Sequence, residues 1–312
     1  MAPRFRPGSR PPGTGQENGT GDGRLRRWTA KHGLLAYTLI AYGISWILLI
    51  GGFFGTGAGV LDAEGALAGV MNQVAAAGPL IAAVVVLALS QGRHGLAGLA
   101  RSIVRWRVHP LWYAFVFLAV PLLGLAGTWA FYPGATFAAL GQNPSLLYTQ
   151  LPLGILGIAL VTGLAEEPGW RGYAQPAANR RYPPLLAALV VSVIWSLWHL
   201  PNALFVQNPT ETLSHLVATV VNGFVLAWVY NSTGGSVLLV MLLHGAQNAT
   251  GGLVILLSNG FPDGPTRTSY YLISALTFGV LMAVVAVLTR GRLGLPPAAV
   301  QVETMSGDRR YR

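Results

Sequence analysis

"YTQLPLGILGIALVTGLAEEPGWRGY", Tyr148 to Tyr173, sets an apolar run of about eighteen residues directly against two adjacent carboxylates, Glu166 and Glu167. A run of that length is close to the roughly twenty residues that carry an α-helix across a bilayer. The carboxylates stand where such a helix should be leaving the lipid, and an ionisable group at membrane depth has to be accounted for by what it does.

The rest of the chain repeats the apolar pattern. Of its 312 residues, 53% are hydrophobic and 10% charged, whereas a soluble domain carries about 25% charge. Apolar windows predict eight spans, at 33–54, 66–90, 111–131, 148–165, 184–206, 213–230, 236–257 and 270–289. The expected fold class is therefore all-α, a polytopic membrane protein of about eight transmembrane helices enclosing a polar intramembrane cavity. No span begins early enough to read as a cleaved signal peptide.

The net charge of +10 would suit a nucleic-acid binder, but its distribution argues for topology instead. Basic residues precede span 1 (Arg4 to Lys31), follow span 2 (Arg93, Arg101, Arg105, Arg107), follow span 4 (Arg171, Arg180, Arg181) and follow span 8 (Arg290 to Arg312). Arg267 alone falls on the other side. This is the positive-inside pattern, which predicts both termini in the cytoplasm of a multi-pass cell-membrane protein and no nucleic-acid partner. With no cysteine, disulfides, thiolate metal sites and a cysteine nucleophile are excluded. The strong preference for Arg over Lys, with abundant Ala and Gly, suggests a bacterial source.

Residues 1–32 are rich in Pro, Gly and Arg and are expected to form a disordered basic cytoplasmic tail. Residues 291–312 read as a second cytoplasmic tail. Arginine-rich segments beside a membrane attract anionic headgroups of the bilayer. The outer loops at 55–65, 132–147, 207–212 and 258–269 are too short for a catalytic domain, so any chemistry has to be built from helices.

Eight of the ten acidic residues lie in tails or outer loops; Glu166 and Glu167 abut a span, and Arg171 follows Glu167 at i+4, where a helical ion pair forms. An interfacial cluster at a helix end is the bland alternative. Span 5 holds "SVIWSLWHLPNALF", with His199 inside an apolar helix, Trp195 one turn before it and Asn202 about one turn after. Span 7 holds "VMLLHGAQNATGG", with His244 and Asn248 at i and i+4 on one face. Each could serve only as packing glue between helices. His215 reads as interfacial, and His32, His94 and His109 as cytoplasmic. Span 2 adds Asn72, Gln73 and a break at Pro79. Three helices bearing polar groups that lipid would not tolerate should converge on one water-containing cavity, expected to open toward the cytoplasm, where the Glu pair begins.

"EEPGWRG", "WSLWH" and "HGAQN" resemble the EExxxR, FxxxH and HxxxN motifs of the CAAX protease and bacteriocin-processing (CPBP, or Abi) family of intramembrane endopeptidases. The segment "NSTGGSVLLVMLLHGAQN" from Asn231 to Asn248 is also similar to that family's approach to its last motif. The resemblance covers roughly 66–257. It departs from the pattern at Trp195, where the family usually has Phe, and at Pro168, which should bend or loosen the helix. It implies an eight-helix membrane protease domain over 33–290, with a motif core at about 148–257.

As the resemblance implies for the first Glu and the second-motif His, Glu166 and His199 would orient and deprotonate a water. His244 and Asn248 would donate to the oxyanion. Glu167 would pair with Arg171 and hold Glu166 in place, although the two carboxylates could share a proton. Trp195 completes the supporting set. No cofactor is expected on this mechanism. The alternative uses Glu166, His199 and His244 as zinc ligands, a donor set that suits catalytic zinc. A transporter or a non-catalytic bacteriocin-immunity protein is the other class of reading, although the inverted repeats common in transporters are not seen. The expected partner is a membrane-associated or lipidated peptide or protein.

Overall fold

A computed structural model describes residues 21–206, 208–258 and 265–296; the remaining parts of both predicted tails lie outside these residues. Eleven helices account for the described fold, and no strand occurs among the described residues. They are α1 (Gly21–Gly57), α2 (Ala66–Ala76), α3 (Gly78–Ile103), α4 (Pro110–Phe131), α5 (Pro133–Gln142), α6 (Leu146–Asn179), α7 (Pro184–Trp198), α8 (Leu200–Val206), α9 (Pro209–Ser232), α10 (Val237–Ser258) and α11 (Arg267–Leu288). Seven of them (α1, α3, α4, α6, α9, α10 and α11) are long and apolar enough to cross a membrane, so the chain is an all-α, multi-pass membrane protein.

The fifth expected span, 184–206, is present in two pieces. α7 has 15 residues and ends at Trp198, His199 forms its C-cap, and α8 continues from Leu200. The break fits "HLPN": Pro201 has no N–H to extend the helix and disfavours helical backbone before it. Carbonyls around the break find partners on other elements, as a broken helix inside a membrane requires. Trp46 Nε1 of α1 donates to Trp198 O at 3.0 Å, and Thr212 Oγ1 of α9 donates to Ala203 O at 3.1 Å.

The second expected span is likewise divided. A turn at Ala77 separates α2 from α3, and the crossing helix runs over 78–103 rather than 66–90, with a kink at Gly92 (φ 60°). Ser45 Oγ of α1 donates to Ala75 O at 2.6 Å beside that turn. Residues 21–31, within the expected tail, are the first part of α1, which kinks at His32. Arg181 donates to the carbonyl of Lys31, tying the kink to the end of α6. The outer segment at 132–147 is also not a plain loop, since α5 lies within it.

The largest departure concerns the opening stretch. The helix does not end at the Glu pair but continues through it to Asn179. Pro168 cannot donate to the carbonyl four residues back, and i→i+5 turns at Ala159–Gly163 and Trp170–Ala174 flank it, a local widening of the kind associated with functional positions in helices.

α10 is the central helix, with 67% of its apolar window buried against 28% in α1. α6 packs against α3 and α10, while α9 packs against α7 and α11. Two glycines sit directly against the backbone of a neighbouring helix. A Cβ on Gly169 would collide with the backbone carbonyl of Pro79 on α3, and one on Gly245 would collide with that of Ile155 on α6. Both are backbone contacts that no side-chain rotation relieves, and the one at Gly245 seats α10, which carries His244, against α6, which carries the Glu pair.

Candidate active site

Glu166 and Glu167 are adjacent on α6, so they point to different sides, and their surroundings differ accordingly. Glu166 is 4% exposed and lines a cavity of about 490 Å³; Glu167 is fully buried behind it. Trp195 Nε1 of α7 donates to Oε2 of Glu166 at 2.8 Å. This is a contact that the phenylalanine usual at this motif position could not make.

Glu167 is held from two sides. Arg171 Nη1 donates to its Oε1 at 3.1 Å and its Oε2 at 3.0 Å, which realises the expected i, i+4 ion pair with both partners fully buried. His244 Nδ1 of α10 lies 2.8 Å from the same Oε1. The Arg171 guanidinium also stacks over the Trp195 ring, 4.5 Å from its centroid. Glu166, Trp195, Arg171, Glu167 and His244 thus form one connected set drawn from α6, α7 and α10.

His199 sits at the break after α7. Its Nδ1 is 2.9 Å from the carbonyl of Trp195, and because a carbonyl only accepts, Nδ1 carries the proton in that contact. Nε2 is then the ring's free acceptor, the form a general base requires. His244 presents the opposite case. With Glu167 ionised against Arg171, its Nδ1 donates to Glu167, and donation from Nε2 as well requires the imidazolium, for which Glu167 is the counter-ion. Asn248, one turn further along α10, is exposed to the cavity and its side chain makes no hydrogen bond among the described residues.

All four candidate catalytic residues, Glu166, His199, His244 and Asn248, line the same cavity, as does Trp195. Asn202, Asn72 and Gln73 do not join them. Asn202 and Asn72 instead line a separate cavity of about 240 Å³ beside Phe53 and Phe205, whose rings stack 4.2 Å apart. The helix break at His199 turns Asn202 away from the face it would share in a continuous helix.

His215, read from the sequence as interfacial, lines the main cavity beside His199, with Thr162, Asn222, Gln247, Tyr270 and Tyr271. Gln247 lies inside the quoted "HGAQN", and its Nε2 donates to Asn222 Oδ1 at 3.2 Å. His215 and Asn222 are seven residues apart on α9 and hence on one helical face, the spacing by which they could have been found.

The expected opening toward the arginine-rich face is corrected as well. The cavity extends from Glu166 past His215, Gly251, Ile255 and Tyr271 to Arg267. These belong to the beginnings of α9 and α11 and the end of α10, on the face that carries Arg267. Fully buried Glu167, Arg171 and Trp170 close the other direction. Among the described residues, no group of three or more His, Cys, Asp or Glu side chains is gathered closely enough to hold a metal ion.

Residues 148–250 match the model of the family described as Type II CAAX prenyl endopeptidase Rce1-like. CAAX prenyl protease 2 of Methanococcus maripaludis is 28% identical over 100 residues, which cover 29% of this chain and 36% of that relative. The matched segment runs from the start of the "YTQLPLG" stretch to two residues beyond Asn248 and contains all three motifs. Both matches support the CAAX protease and bacteriocin-processing family.

Proposed function

We propose that this chain, a member of the CAAX protease and bacteriocin-processing family through its 148–250 segment, is an intramembrane endopeptidase that hydrolyses a peptide bond of a membrane-associated substrate. The observation that carries the reading is the convergence of Glu166, His199, His244 and Asn248, from three helices, on one cavity.

In this mechanism the cavity holds the scissile carbonyl between a water and two hydrogen-bond donors. Glu166 and the Nε2 of His199 orient the water and take its proton as its oxygen attacks the carbonyl carbon. Negative charge then develops on the carbonyl oxygen, where Asn248 Nδ2 and, in its cationic form, His244 Nε2 donate to it. Collapse of the tetrahedral intermediate breaks the C–N bond, and the proton taken from the water passes to the leaving amine. Glu167 and Arg171 hold the helix and the His244 ring, while the Trp195 indole fixes one oxygen of Glu166.

The substrate is a lipidated or membrane-anchored peptide or protein, and the protein resides in the cell membrane with both termini in the cytoplasm, the side that the arginine distribution favours. On that assignment the cavity mouth, at Arg267, faces away from the cytoplasm.

The reading is tested by incubating detergent-purified protein with a library of membrane-anchored peptides, wild type beside Glu166→Gln, each with and without a zinc chelator. Cleavage that is lost with the substitution and survives chelation is expected. Chelator-sensitive cleavage would move the same residues to a zinc mechanism, and no cleavage by folded wild type would favour a binding or immunity role.

A further inference from the structure

His199 is placed where a helix is interrupted. Three of the contacts that hold its ring come from its own helix: the Trp195 carbonyl at 2.9 Å, the Trp195 ring at 5.5 Å between centroids and the Trp198 ring at 4.9 Å. A fourth comes from α9, where the His215 ring stands 5.3 Å from His199 at an interplanar angle of 64°.

His215 is itself backed by a second helix. Its ring lies almost flat against Tyr271 of α11, with centroids 4.8 Å apart and planes 14° from parallel. The backbone that carries it is anchored at the same level. Ser196 Oγ of α7 donates to the carbonyl of Leu216 at 2.8 Å, and Thr219 Oγ1 donates to the carbonyl of His215 at 2.9 Å. A chain of ring contacts, Tyr271 stacked on His215 and His215 meeting His199 edge to face, therefore braces the ring at the α7 break from α9 and α11.

We propose that His215 is a positioning residue for His199, acting through the contact between the two rings and backed by Tyr271. The inference rests on the reading of His199 as part of the water-activating pair. Without the wall, the His199 ring is free to turn about its side-chain bonds into the space His215 leaves, and its Nε2 swings off the line to the water. Misplacement of a catalytic group by about 1 Å costs on the order of 100-fold in rate.

The ring wall and a proton-carrying role for His215 are separated by shape. His215→Ala removes both the wall and the nitrogens, whereas His215→Phe keeps an aromatic wall and removes the nitrogens. Positioning predicts a kcat roughly 10- to 100-fold lower for His215→Ala with little change in KM, recovery to within a few-fold of wild type for His215→Phe, and a loss similar to that of His215→Ala for Tyr271→Ala.

The deciding experiment records side-chain spectra of protein labelled with ¹⁵N-histidine, with His199 assigned from a His199→Gln sample, alongside kcat and KM on the cleaved membrane-anchored peptide. Detergent melting accompanies each variant to establish that it is folded. The His199 ring signals should move in His215→Ala and return in His215→Phe. Unmoved His199 signals in folded His215→Ala, or His215→Phe as inactive as His215→Ala, would overturn the proposal. The spectra judge positioning even if no peptide is cleaved, so failure of the endopeptidase reading is distinguishable from failure of this one.

Discussion

The indole Nε1 of Trp195 lies 2.8 Å from Oε2 of Glu166, a hydrogen bond between the second motif and the first. It leaves Oε1 without a hydrogen-bond partner among the described residues, on a side chain that faces the cavity. A hydrogen bond to a charged group contributes about 1.5–3 kcal/mol. Trp195→Phe keeps an aromatic ring and loses only this donor. The expected result is a fall of roughly 10- to 100-fold in kcat, at a melting midpoint in detergent close to wild type. A Phe variant as active as wild type would remove the bond from the mechanism.

Glu167 and Arg171 are both fully buried, so removing either partner leaves a charge without its counter-ion. Breaking such a pair costs about 3–5 kcal/mol, although replacing both partners with apolar side chains is often far milder. Arg171→Met should lower the melting midpoint strongly. The double variant Glu167→Leu/Arg171→Met should recover much of that loss without recovering cleavage, because His244 would lack its carboxylate partner. Thermal melting of the two variants side by side checks this.

Gly245 has the backbone of Ile155 directly against the place a Cβ would occupy, whereas Gly43 has no such neighbour within 4 Å. Gly245→Ala should force α10 away from α6, separate His244 from Glu167, and destabilise by a few kcal/mol, in the range of overpacked cores. Gly43→Ala should be neutral or slightly stabilising, since alanine favours helix. Melting curves for the pair make the comparison; an equally tolerated Gly245→Ala would argue against the close approach.

Sidedness is testable because the chain has no cysteine to interfere. Asn143 and His94 are both exposed and lie toward opposite ends of the bundle. In intact cells, a membrane-impermeant thiol reagent should label Asn143→Cys and not His94→Cys. The reverse pattern would put the arginine-rich face outside and the cavity mouth in the cytoplasm.

Much of this was legible in the sequence, for a physical reason. Apolar length reports membrane crossing directly, and ionisable residues are so rare in such helices that Glu166, His199 and His244 stood out. The i, i+4 spacing of Glu167 and Arg171 was enough to predict their pair. What could not be read were contacts between helices distant in sequence. The second motif gave no sign that Trp195 would bond Glu166, nor the third that His244 would bond Glu167. The break at His199 is written in "HLPN", whose proline makes it, and it sends Asn202 to another cavity. The role of His215 is marked by the helical face it shares with Asn222 and not by its depth in the span.

The central claim is a division of labour between two adjacent carboxylates, one reacting and one bracing. The measurement that tests it most directly is cleavage of the membrane-anchored peptide, with melting in detergent, for Glu166→Gln and Glu167→Gln side by side. The account predicts that Glu166→Gln loses on the order of 10²- to 10⁴-fold in rate, the range of general acid–base catalysis, at an unchanged midpoint. Glu167→Gln should lower the midpoint through the unpaired Arg171. A Glu166→Gln protein that still cleaves within a few-fold of wild type would contradict it.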